Sequence, residues 1–314
     1  MKIVVLEPLG VATDRIEKSA MDALGEAAEV VFYPTRTDSV TELIERGHDA
    51  DVLVLANMPL KKEVLKGCPN VKLISVAFTG VDHIPMDYCH EKGIIVSNCA
   101  GYSTRAVSEL VFGLLISVCR NIVRCDVAAR SGKTKDGLIG TEIYGKTFGV
   151  VGTGAIGLRA AEIALAFGCR VIAYSRTKKD IPGIEYMELD ELLKESDIVS
   201  LHTPLNEHTR HLISAEKIAL MKPSAILINT ARGGVVDNDA LASALKGGRL
   251  AGAGIDVFDQ EPPLPTDKTP LLDCETAVVT PHVAFASKEA LITRGDMVFQ
   301  NIAAWNDGNP INVM

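Results

Sequence analysis

Gly149-Val150-Val151-Gly152-Thr153-Gly154-Ala155-Ile156-Gly157 sets three glycines in Gly-x-Gly-x-x-Gly order, directly after the apolar run Thr147–Val151 and directly before the helix-like Leu158–Phe167. In that setting Gly152 permits a tight turn, Gly154 lets the backbone approach a pyrophosphate, and Gly157 lets helix and strand pack closely. The unsatisfied N–H groups at the helix start then offer an anion site. Glycines alone would mark only a turn that tolerates positive φ; strand before and helix after make this the first turn of a dinucleotide-binding unit.

Working outward, the next strand, Arg170 to Tyr174, ends at Ser175, where an NAD-binding unit places an acid for the ribose 2′-hydroxyl. Arg176, Thr177, Lys178 and Lys179 follow. A neutral residue backed by cations suits a 2′-phosphate, so NADP is favoured over NAD as the cofactor. Further apolar runs at Ile198–Leu201, Ala225–Asn229, Gly252–Asp256 and Ala277–Thr280 complete six strands with helices between them, a doubly wound parallel sheet.

Upstream, Lys2–Leu6, Glu29–Phe32, Val52–Leu55, Lys72–Val76 and Ile94–Val96 alternate with helix-length segments in a second parallel α/β pattern. Between the two series, Arg105 to about Arg130 reads as one long helix, with Glu109 early and Arg120, Arg124 and Arg130 late. A last helix, Lys288 to about Asn306, carries the single tryptophan, Trp305. The expected fold class is α/β with two Rossmann-like domains, the chain's 314 residues being too many for one comfortable core.

Composition narrows the function classes. A net charge of −8 without a long basic run leaves no face for nucleic acid or anionic lipid. An anionic substrate would therefore need a local cation. No apolar run reaches the roughly 20 residues of a membrane span. The N-terminal Met1-Lys2-Ile3-Val4-Val5-Leu6-Glu7 is too short for a signal peptide's apolar region. Seven scattered cysteines form neither a CxxC pair nor a Cys/His metal set, so no metal is expected and the cytoplasm is the expected location.

The second half closely resembles the D-isomer-specific 2-hydroxyacid dehydrogenases, the family of phosphoglycerate, glycerate and hydroxypyruvate enzymes. The glycine fingerprint carries the match together with Leu201-His202-Thr203-Pro204-Leu205 through Thr209 and Asn229-Thr230-Ala231-Arg232-Gly233-Gly234-Val235-Val236-Asp237. Gly254-Ile255-Asp256-Val257-Phe258 through Glu261-Pro262-Pro263, and Thr280-Pro281-His282, complete it. The first hundred residues match more loosely, through Ala77-Phe78-Thr79-Gly80-Val81-Asp82 and Gly101-Tyr102-Ser103. The resemblance implies a discontinuous substrate-binding domain, 1–100 plus 287–314, around an NAD(P)-binding domain, 101–286, with closure hinges near Asn98–Gly101 and Ala284–Ser287. It also implies a homodimer, with the Arg105 helix and the Ser131–Gly145 loop as the expected surface.

The implied activity is hydride transfer between NAD(P)(H) and a small 2-oxo or D-2-hydroxy acid. Such chemistry needs a group to hold the carboxylate, one to polarise the carbonyl and one to deliver a proton. Arg232 follows a strand at the sheet's carboxyl edge, and its planar fork suits the carboxylate and carbonyl oxygens. His282 exchanges protons near neutral pH and matches the family's proton donor. Glu261 matches the carboxylate that hydrogen-bonds that imidazole.

Besides the three glycines, the resemblance gives the cofactor Ala155, Ile156, Ser175, Arg176 and Thr177. It adds Thr203, Pro204, Thr209, Thr230 and Ala231, with Asp256 on the nicotinamide carboxamide. Phe78, Thr79 and Gly80 are expected at the substrate, their backbone N–H groups cradling its carboxylate. His202 reads as structural, and His208 as a surface or packing position. A redox sensor of the corepressor type on the same fold is the alternative, which the intact Arg-Glu-His set disfavours.

Overall fold

Strands that are apolar along their whole length, rather than at alternate positions, need cover on both faces, which parallel sheets receive from their crossover helices. Both series build such sheets. In the computed structural model, which describes residues 1–265 and 268–314, the chain divides into two units, Met1–Ser103 with Ala286–Met314, and Thr104–Phe285.

In the first unit, β1 (Lys2–Val5), β2 (Glu29–Phe32), β3 (Val52–Leu55), β4 (Leu73–Val76) and β5 (Ile95–Ser97) pair in parallel in the order β2-β1-β3-β4-β5. This is the flavodoxin-like order. Helices α1 (Thr13–Leu24), α2 (Val40–Gly47), α3 (Lys62–Lys66) and α4 (Met86–Lys92) make the crossovers. Every residue of β3 and β4 is buried, as two-sided cover requires.

The second unit opens with α5 (Thr104–Cys119) and α6 (Ile122–Arg130). The single helix expected over this stretch is therefore two, bent by 58°. Asn121 takes φ 51° at the break, a left-handed conformation that Asn tolerates through local side-chain hydrogen bonding. No single helix among the described residues is long and apolar enough to cross a membrane.

Among the described residues seven strands follow, not six: β6 (Thr147–Val151), β7 (Arg170–Tyr174), β8 (Ile184–Tyr186), β9 (Ile198–Leu201), β10 (Ile226–Asn229), β11 (Gly252–Ile255) and β12 (Ala277–Val279). They pair in parallel in the order β12-β11-β10-β9-β6-β7-β8. The additional strand, β8, is a three-residue edge with no buried position, so it lacks the apolar run that marks the others. The order is that of a dinucleotide-binding sheet extended by β12.

Helices α7 (Ala155–Ala166), α8 (Leu189–Glu195), α9 (Ala215–Leu220) and α10 (Asn238–Lys246) cover this sheet with α5. On one face Phe112 stacks on Phe148 and Phe167, with ring centroids 5.6 and 5.2 Å apart. On the other face Leu189, Leu192, Leu193 and Leu241 pack with Val199, Leu227 and Ile255. After Phe285 the chain returns to the first unit through α11 (Lys288–Asn306), where both carboxylate oxygens of Asp296 accept from Arg15 Nη2 of α1 at 2.8 Å. The strands' shared direction gathers the loops after β6, β7, β9, β10, β11 and β12 at one carboxyl edge, where ligands of open α/β sheets bind.

Candidate active site

The turn after β6 is closed by contact between its own glycines. A Cβ on Gly157 would lie 1.9 Å from the carbonyl oxygen of Gly152, so no larger residue fits while helix α7 starts where it does. Above Gly154 there is open space, and α7 begins there with no side-chain cap. Its first N–H groups are thus available to an anion.

Beside this turn lies a cavity of about 240 Å³, lined by Gly152, Thr153, Gly154, Tyr174, Ser175, Arg176, His202, Thr203, Pro204, Asn206, His208, Thr209 and Leu212. Thr177 is exposed and lies outside the lining. Thr153, Thr203 and Thr230 each bury a hydroxyl that finds no hydrogen-bond partner among the described residues. Buried hydroxyls at three strand ends, left unpaired, are costly unless a polar ligand meets them. Cavity, open helix start and orphaned hydroxyls together fit a dinucleotide.

Lys179 donates to the Thr153 carbonyl at 3.1 Å, tying the basic turn after β7 to the glycine turn. His202 stands 2.8 Å from the Ser200 hydroxyl, and burial pushes its imidazole down to about 4. It is therefore neutral at neutral pH and no store of protons. His208, expected at the surface, also lines the cavity.

At the end of β10, fully buried Asn229 holds the loop that carries Arg232. Its amide donates to the Arg232 carbonyl at 2.9 Å and its oxygen accepts from the Ala231 N–H at 3.0 Å. Gly233 then passes so close to the next loop that a Cβ would sit 2.1 Å from the Phe258 carbonyl carbon. That approach sets Arg232 near Glu261, whose carboxyl it helps to keep ionised.

Glu261 accepts from the Phe258 N–H at 3.2 Å through Oε1 and meets His282 Nδ1 at 2.6 Å through Oε2. Burial would raise the Glu261 carboxyl. The hydrogen bond and charge of His282, the Phe258 N–H and the Arg232 charge outweigh it and hold it below the usual carboxylate range. A lowered value means that the carboxylate persists through neutral pH and is lost only as pH falls through that value. Nδ1 is thereby committed to Glu261, so any proton exchange with a ligand falls to Nε2. Phe285 packs edge-on against the imidazole, with centroids 5.8 Å apart.

Asp256, expected at the cofactor, has no exposed surface, and its carboxylate accepts from Thr280, Val283 and Ala284. Burial pushes its carboxyl up despite these hydrogen bonds and the His282 charge. The three residues expected to do the chemistry, Arg232, Glu261 and His282, are thus assembled in one unit with Asp256 and Asn229 beneath them. Ala155 and Ile156 open α7, and Ala231 lies between Thr230 and Arg232.

Phe78, Thr79 and Gly80 belong to the first unit, in the turn after β4. The Cys99 N–H donates to the Phe78 carbonyl at 2.9 Å and the Asn98 amide to the Thr79 carbonyl at 2.7 Å. In a trans peptide the N–H points opposite to the preceding carbonyl, so the N–H groups of Thr79 and Gly80 are turned away from the 98–99 segment. Asn98 is held in its turn by Asn301, whose amide donates to its carbonyl at 2.8 Å. Sequence reasoning missed Asn98 and Asn229 as supports, and its one available signal was a polar residue closing an apolar strand.

Residues 112–284 match the profile of the D-isomer specific 2-hydroxyacid dehydrogenase, NAD binding domain. A glyoxylate reductase of Korarchaeum cryptofilum is 38% identical, over 96% of this chain and 94% of its own length. A hydroxypyruvate reductase of Thermotoga maritima is 40% identical, over 88% of this chain and 91% of its own. Among solved structures, an acyclic imino acid reductase in complex with NADPH and D-Arg superposes with a TM-score of 0.90 at 34% identity, covering 100% of both chains.

The glycine contact yields a direct test of the dinucleotide fit. Gly157→Ala is expected to weaken NAD(P)H binding, read by nicotinamide fluorescence, by about tenfold or more (~1.4 kcal/mol). Unaltered affinity would mean that the turn can open without consequence for the ligand.

Proposed function

Since the chain belongs to the D-isomer-specific 2-hydroxyacid dehydrogenase family, we propose that it reduces a small 2-oxo acid of the glyoxylate or hydroxypyruvate class with Arg232, Glu261 and His282 as its catalytic residues. The chain is an NAD(P)-linked oxidoreductase of 2-oxo and 2-hydroxy acids. The observation that carries the residue assignment is the 2.6 Å contact between His282 Nδ1 and Glu261 with Arg232 beside it.

The bound dinucleotide supplies the hydride. Arg232 donates from its planar fork to the substrate's carboxylate and carbonyl oxygens, fixing the acid and drawing charge onto the oxygen that must accept a proton. His282 delivers that proton from Nε2, and Glu261 favours the charged imidazole beforehand and fixes its orientation. In the oxidative direction the same nitrogen takes the hydroxyl proton. In the first unit, the Thr79 and Gly80 N–H groups are the proposed backbone donors to the substrate carboxylate.

We assign NADP(H) as the preferred cofactor. Half-buried Ser175 carries no charge to repel a 2′-phosphate, and exposed Arg176 lines the same cavity. A homodimer in the cytoplasm completes the proposal. All seven cysteines are free thiols, six of them buried, as a reducing compartment maintains them. None of α6's nine residues is buried, although Ile122, Val123 and Val127 are apolar. Val127 is 60% exposed and Ile139, in the following loop, 91%. Beside them runs a groove of about 720 Å³ in which Val123, Val127, Ala128 and Leu138 are rimmed by Arg124, Lys133, Thr134, Asp136 and Glu275. Apolar surface of this kind marks an interaction site, and a second copy of the chain is the proposed occupant.

Three measurements follow. Hydroxypyruvate, glyoxylate, pyruvate and phosphohydroxypyruvate are offered with NADPH or NADH, and oxidation at 340 nm on one of them is expected, with kcat/KM lowered about 100- to 1000-fold in Arg232→Ala. Tight cofactor binding with no turnover on any acid would favour a redox sensor, and ordinary kinetics in the variant would remove Arg232 from the mechanism. Ser175→Asp is expected to move the NADPH/NADH preference at least about tenfold towards NADH, and an unchanged ratio would show that this turn does not read the 2′ position. Ile139→Glu is expected to run as a monomer in size-exclusion chromatography where the parent runs as a dimer; a dimer in both would place the interface elsewhere.

A further inference from the structure

His282 holds a left-handed backbone conformation, φ 51°, which residues other than glycine adopt uncommonly and keep only when their surroundings over-determine it. The conformation belongs to the site, because Nδ1 meets Glu261 from this backbone position. One buried residue, Asp256, binds the turn at several points. The Thr280 hydroxyl donates to Asp256 Oδ1 at 2.5 Å, the Val283 N–H to Oδ1 at 2.9 Å, and the Ala284 N–H to Oδ2 at 2.9 Å. The Asp256 carbonyl receives the His282 N–H itself at 2.7 Å.

By accepting four hydrogen bonds, Asp256 therefore holds residues on both sides of His282 and the histidine's own amide. A carboxylate is suited to this because it only accepts, so three donors can converge on it without conflict. An amide of the same shape would turn one of its own donors against a Val283 or Ala284 N–H.

We propose that Asp256 is a positioning residue that locks the 280–284 turn in its left-handed form and so keeps the imidazole of His282 against Glu261. The inference rests on the reading of His282 as proton donor. This task is compatible with a nicotinamide carboxamide at the same side chain, because Oδ1 accepts two hydrogen bonds and Oδ2 only one, which leaves acceptor capacity on Oδ2.

The test uses Asp256→Asn and, as a milder second variant, Thr280→Val, which removes one donor while keeping the side chain's size. Both are expected to lower kcat, by about 100-fold and about tenfold respectively, as misplacement of a reacting group on the order of 1 Å does. In Thr280→Val, which leaves the Asp256 carboxylate in place, the Kd for NADPH and the KM for the 2-oxo acid should stay within about twofold of the parent's. In the cofactor-free chain, diethyl pyrocarbonate should modify His282 several-fold faster in both variants, because the ring is released from Glu261. That readout needs no turnover, so it separates failure of this inference from failure of the proposed reaction. An NADPH Kd that weakens while kcat at saturation holds would overturn the proposal in favour of a cofactor anchor. Parent-like kcat and modification rates in both variants would overturn it outright.

Discussion

A parallel strand that ends at a ligand edge leaves the peptide groups of the next loop with no ladder to join, and each buried group left unpaired costs about 1–3 kcal/mol. The second unit meets this constraint with polar side chains placed at the last buried positions of its strands. Asn229 closes β10 and supplies both a donor and an acceptor to the loop carrying Arg232. Asp256 closes β11 and supplies acceptors alone to the turn carrying His282. The choice between amide and carboxylate follows the partners: a carbonyl and an N–H in the first case, three donors in the second. The first unit repeats the device with Asn98, whose amide donates to Thr79 while its oxygen accepts from the Ala100 N–H.

These anchors make the electrostatics of the site possible. The chain as a whole is acidic, so a substrate anion is attracted only where a cation is fixed locally. Arg232 is fixed there by its backbone, through Asn229 and the close approach of Gly233, and its charge reaches Glu261 as well. Glu261 stays ionised because His282 and Arg232 outweigh its burial, and His202 stays neutral because no carboxylate offsets the burial of its ring. The two imidazoles thus differ in their partners, His282 facing a carboxylate and His202 a hydroxyl.

The parts of the molecule legible in the sequence are those whose signal is local. Both sheets could be read because buried parallel strands are apolar throughout, and the dinucleotide turn because three glycines stand between strand and helix. Strand β8 was missed because an edge with no buried residue carries no such run. The bend at Asn121 was missed because apolar spacing continues across it while the backbone changes hand at one residue. Arg232, Glu261 and His282 could be named from the resemblance, but what holds them could not. Asp256 grips residues 24 to 28 positions away, and Gly233 is required by a loop 25 residues further on. Such pairings depend on which strands lie side by side, which a linear pattern does not record.

The turn after β7 shows the same limit from the other side. Its run of Arg176, Lys178 and Lys179 looks uniform in the sequence, yet each cation has a different task in the structure. Lys178 stands 3.9 Å from Glu188 and is partly neutralised. Lys179 is spent on the Thr153 carbonyl, where it braces the glycine turn. Arg176 is the one of the three that lines the cavity. The proposed preference for NADP(H) therefore rests on one arginine and on the absence of a carboxylate at Ser175, not on the summed charge of the run. A guanidinium can pair a 2′-phosphate through two parallel hydrogen bonds and can equally lie flat against an adenine ring, so in the proposed preference the neutral side chain at the strand's end is what sets the direction.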